Sequence, residues 1–76
     1  MTLNKYNFDE MDMEFILDVQ FELEKHFGKE ASTILVQSDF LKRLADDPMY
    51  VHHYDETYWA ERIRALHVKK SNSTVN

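Results

Sequence analysis

Among the apolar residues in the first third of the chain, Phe8, Met11, Met13, Phe15, Leu17, Val19, Phe21 and Leu23 have a spacing that admits two readings. Alternation from Met11 to Leu23 is the period of a half-buried strand, whereas residues three and four apart share one face of a helix. Helix is favoured. A strand of 13 residues would be unusually long, no hairpin partner of similar length follows, and the segment has no Gly or Pro but is rich in Met, Glu, Leu, Gln and Asp. On a helix over 8–27, Phe8, Met11, Phe15, Val19 and Leu23 form one stripe, and Met13, Leu17 and Phe21 form a second. The combined arc is wider than one packing face needs, so this helix is expected to be central or to touch another chain. Asn7 or Asp9 can cap its start. Gly28, the only Gly, follows Phe27, where a helix end commonly takes a left-handed residue.

The next helix is expected over 30–46, carrying Ile34, Leu41, Leu44 and Ala45 toward a core, with Leu35 and Phe40 at its borders. Ser32, Thr33, Ile34 and Val36 are weak helix formers, so the alternative is an extended 34–36 followed by a shorter helix starting at Ser38 or Asp39. Pro48 cannot continue a helix, yet Asp47-Pro48 is a good start for a new turn, which places a short helical turn near 48–53. A third helix is expected over 55–69. Asp55 caps it, Glu56 adds negative charge to its first turn, and Trp59, Ile63 and Leu66 share one face. Arg62, Arg64, His67, Lys69 and Lys70 crowd the end where the helix dipole favours cations. The run Ser71-Asn72-Ser73-Thr74-Val75-Asn76 has little to bury and reads as a disordered tail. The fold class is therefore all-α: a small bundle of three helices, one domain over 1–70, with a short turn near 48–53 and a flexible C-terminal tail over 71–76.

Composition sharpens this picture. A 76-residue chain without Cys sits near the size where one core is barely sufficient, so it must pack well or share its core with a partner. No segment resembles a signal peptide or a membrane span, and a cytoplasmic location is expected. Net charge is −5, but it is distributed unevenly. From Asp9 to Glu30 there are eight acids against two bases, a local balance of −6, while Arg62 to Lys70 holds four bases and no acid, a balance of +4. An acidic front suits a basic partner surface. A direct grip on nucleic acid fits poorly with a pI of 5.2.

Candidate chemistry is sparse. His52 and His53, with Asp55 and Glu56 nearby, offer metal ligands or acid and base groups, yet adjacent residues on a helix point about 100° apart and do not make an i, i+4 metal pair. There is no Gly-rich phosphate loop and no Cys nucleophile. Tyr54, Tyr58 and Arg62 lie at helical spacing, so ring and guanidinium can stack on the surface as a binding patch. The leading expectation is a non-enzymatic protein–protein interaction module with no cofactor, a small acidic regulator or inhibitor of a partner protein. It would act through Tyr54, Tyr58, Arg62, Glu10, Glu14 and Asp18, reaching a basic or nucleic-acid-binding site of that partner. Self-association as a two-fold dimer through Met13, Leu17 and Phe21 is also expected. The alternatives are a small DNA-binding transcriptional regulator using the basic end of helix 55–69 and, more remotely, a metal-dependent enzyme using His52 and His53.

Overall fold

Local capping by Asp side chains marks where three of the helices begin. Asp9 accepts from the Asp12 N–H at 2.8 Å while the Asp9 N–H donates to Asp12 at 3.3 Å, a reciprocal capping box that starts α1 (Glu10–Phe27). Gly28 ends it at φ 59°, with its N–H donating to the Glu24 carbonyl. A Cβ at Gly28 would meet nothing within 4 Å, so the left-handed backbone and not crowding calls for glycine here. A 3₁₀ turn over Gly28–Glu30 leads to α2 (Ala31–Gln37), α3 (Phe40–Asp46), α4 (Pro48–His53) and α5 (Glu56–Ser73). Asp47 accepts from the Tyr50 N–H at 3.3 Å with Pro48 in the first turn of α4, and Asp55 accepts from the Tyr58 N–H at 2.9 Å at the start of α5. This computed structural model describes residues 7–73, with side chains as far as Lys69, and those residues form an all-α bundle without strands. No helix among them is long and apolar enough to cross a membrane.

The single helix expected over 30–46 is divided in two at Ser38. This side chain donates to the Leu35 carbonyl at 2.5 Å, closing α2, and accepts from the Phe40 N–H at 3.3 Å, opening α3. One hydroxyl satisfies groups on both sides of the break, which is how Ser competes with continuous helix. Residues 34–36 are helical, so the extended alternative does not hold there, although a new helix does begin just after Asp39. At the other end, α5 continues past 69 with helical backbone as far as Ser73, and the rest of the expected tail, 74–76, lies outside the described residues.

The core draws on every helix: Ile16, Val19 and Leu23 from α1, Ala31, Ile34 and Leu35 from α2, Phe40, Leu41 and Leu44 from α3, Val51 from α4, and Trp59, Ala60 and Ile63 from α5. Trp59 is buried as its spacing implies, and its indole N–H donates to the Val51 carbonyl at 2.8 Å, tying α5 to α4. Four expectations are corrected. Met11 is 72% exposed and Ile16 takes its place, because the buried row of α1 runs Asp12, Ile16, Val19, Leu23. Leu66 is 46% exposed, since the inward face of α5 is Trp59, Ala60 and Ile63. Ala45 is exposed. Leu35 and Phe40 belong to the core and not to its border, with Phe40 between Phe15 at 6.0 Å and Trp59 at 5.5 Å.

Asp12 near the start of α1 meets His52 just upstream of α5, and Phe27 at its end meets His67 well along α5, so the two long helices run in the same sense. With α5 and α2 packed on it, α1 has one covered face and one bare face.

Candidate interaction surfaces

The outward face of α1 follows from the phase of its inward one. Asp12, Ile16, Val19 and Leu23 are buried. Moving each position back by two residues, about 200° around the helix, gives Glu10, Glu14, Leu17 and Phe21. These four form one row on the opposite side, and all are exposed, Leu17 at 59% and Phe21 at 60%. Asp18 and Glu24 flank the row and are also exposed. Lys25 is paired with Glu22 at 3.1 Å and holds its ammonium 5.2 Å from the centre of the Phe21 ring. Met13, grouped by its spacing with Leu17 and Phe21, instead packs against the core, so the second apolar row is split.

The second surface is aromatic and lies where α4 meets α5. Tyr54 and Tyr58 stack with ring centres 4.3 Å apart, and Tyr50 meets Tyr54 edge-on at 5.6 Å. Arg62 does not complete this ridge as its spacing suggests. Its guanidinium lies 5.6 Å from the Trp59 ring and reaches Asp39 at 3.0 Å, where Arg43 also binds at 2.8 Å. Burial pushes the Asp39 carboxyl up, but hydrogen bonds from Arg62 and Arg43 outweigh it and hold the group below the usual carboxylate range. The neighbouring Tyr50 hydroxyl, burial and Tyr58 push the Tyr54 hydroxyl above its ordinary value. Asp39, which the sequence offers only as a helix start, joins α3 to α5. Its i, i+4 relation to Arg43 was visible, whereas its contact with Arg62 spans 23 positions.

The adjacent histidines part company. His52 Nε2 lies 2.7 Å from Asp12 Oδ1 and its ring 4.8 Å from Phe15, whereas His53 meets Tyr54 edge-on at 4.9 Å. Among the described residues, no group of three or more His, Cys, Asp or Glu side chains is arranged to hold a metal ion. Burial pushes the Asp12 carboxyl up, but the hydrogen bond to His52 and the Asp9 N–H outweigh it, so the carboxyl titrates below its usual value. A depressed folded-state pKa stabilises the fold fully above the unfolded value of about 3.9, and that contribution is lost as pH falls through the folded value. Asp12→Asn is therefore expected to cost stability near pH 6 and to cost less near pH 2.5, read by urea denaturation at both values. A deficit that does not change with pH would contradict this role for the carboxylate.

Comparison with known proteins finds no matching family model, no matching curated sequence and no matching solved structure.

Proposed function

We propose that the chain is a non-enzymatic protein–protein interaction module, a small acidic regulator or inhibitor that engages its partner through the outward face of α1. The observation that carries this reading is the pair Leu17 and Phe21, each more than half exposed and in one row with Glu10 and Glu14. Large apolar side chains grouped on an uncovered helix face are a common mark of an interaction site, and a charged border supplies specificity and faster encounter. The acidic border suits a basic site on the partner, including one that otherwise holds nucleic acid. The absence of Cys favours a reducing compartment, and a cytoplasmic location is part of the proposal. A DNA-binding role for the basic end of α5 has less support, because Arg62 and Arg64 are each paired with a carboxylate of their own chain, Asp39 and Glu61. Phosphate would have to compete with both.

The test is affinity capture from the native cell with wild type and with Leu17→Asp/Phe21→Asp. Both substituted side chains are exposed, so the double variant is expected to melt within a few degrees of wild type while losing its partner. Equal recovery of every protein by the two baits would refute the assignment to α1.

A further inference from the structure

Building on the α1 reading above, we infer that the occupant of this face is a cationic amphipathic helix of the partner, with apolar side chains set against Leu17 and Phe21 and Lys or Arg set against Glu10, Glu14 and Asp18. Charge complementarity argues for it. Among the described residues of α1, those exposed around Leu17 and Phe21 include Glu10, Glu14, Asp18 and Glu24, and Lys25, the one Lys or Arg of this helix, is already paired with Glu22. The chain itself shows how the face takes a cation. Lys25 holds its ammonium 5.2 Å from the centre of the Phe21 ring and 3.1 Å from a Glu22 oxygen, between an aromatic face and a carboxylate. A partner Lys or Arg would find its carboxylates toward the N-terminal half of the row, where Glu10, Glu14 and Asp18 have no base of α1 within four positions. The acidic N-terminal half of α1 cannot meet a second copy in this way. In a parallel two-fold pair through Leu17 and Phe21 these carboxylates would face their own copies, and in an antiparallel pair Glu14 would face Glu24, so like charges oppose association in either arrangement.

The length of the row defines the shape of the occupant. From Glu10 to Phe21 the helix rises about 16 Å, three turns, and Leu17 and Phe21 are one turn apart. A partner helix of about three turns with apolar residues at i, i+3 and i+4 matches it, the mode in which one helix lays its apolar stripe on a complementary surface.

The experiment uses a synthetic 18-residue peptide of Leu and Lys with all Leu on one helical face, beside a scrambled peptide of the same composition. Isothermal titration calorimetry of the full chain is expected to show the amphipathic peptide binding at least about tenfold tighter than the scrambled one, and weakening several-fold from about 50 to 300 mM salt. Leu17→Ala/Phe21→Ala should weaken binding at least about tenfold. Glu10→Gln/Glu14→Gln/Asp18→Asn should weaken it several-fold and flatten the salt dependence. Equal binding of both peptides, or indifference to either set of substitutions, would overturn the inference. So would sedimentation showing a wild-type dimer that Leu17→Ala/Phe21→Ala returns to monomer, which would make a second copy the occupant. A partner captured through Leu17 and Phe21 alongside a peptide that does not bind would sink the cationic helix and leave the interaction module standing. Loss of both would sink both.

Discussion

Trp59→Ala is expected to destabilise the fold by about 3–5 kcal/mol, the range for emptying a large aromatic site. Trp59 is 1% exposed, and Phe40, Tyr50, Tyr54 and Tyr58 all lie against its ring. Its loss would also remove the indole hydrogen bond to the Val51 carbonyl at 2.8 Å, leaving that carbonyl the Tyr54 N–H at 3.3 Å and adding to the cavity the loss of a buried hydrogen bond. A domain of this size has a total stability of roughly 4–11 kcal/mol, so the variant should retain little of it. Guanidinium denaturation followed by helical circular dichroism checks this. A loss below about 1 kcal/mol would mean the indole contributes little to the core.

Phe40→Ala is expected to cost nearly as much, about 3–5 kcal/mol, although Phe40 opens a helix of only seven residues. Such a short helix has little stability of its own and is held by what it buries. Phe40 is fully buried between Phe15 of α1 and Trp59 of α5, so it is the point where three helices meet. Because the two rings touch, their losses should not add. A cycle with the milder Phe40→Leu and Trp59→Phe, which keep the fold measurable, should show a coupling of about 0.5–3 kcal/mol. Denaturation of Phe40→Ala costing less than about 1 kcal/mol would return Phe40 to the border of the core, where its sequence position alone suggested it lay.

What was legible in the sequence was local. The caps at Asp9, Asp47 and Asp55, the helix end at Gly28 and the restart at Pro48 depend on residues within four positions of one another, and all stand in the structure. The burial of Trp59 was equally plain from its spacing to Ile63. The phase of α1 was not. Apolar residues occur on every side of it, and its inward face is chosen by neighbours far along the chain. Asp12 reads as surface, yet it lies on the buried face with Ile16, covered by His52 from 40 positions away, while Met11 lies outward. The break at Ser38 was half legible, since a helix starting at Ser38 or Asp39 is one of the two readings the sequence offers. A serine within a helical pattern gives no sign of which backbone groups its hydroxyl will satisfy until both flanking helices are packed. The binding patch assigned to Tyr54, Tyr58 and Arg62 changed because Arg62 found a buried aromatic face and a distant carboxylate at Asp39. Glu10, Glu14 and Asp18 remain on the exposed side of α1, where the sequence placed them.

The outward face of α1 competes with the tyrosine ridge as the partner site, and a paired capture decides between them. Leu17→Asp/Phe21→Asp alters the first surface and Tyr58→Ala the second, with thermal melts confirming that each bait is folded, and quantitative mass spectrometry compares what each retains with wild type. The α1 reading predicts that the wild-type partner is lost from Leu17→Asp/Phe21→Asp and kept by Tyr58→Ala. A partner kept by the α1 variant and lost from Tyr58→Ala would contradict it.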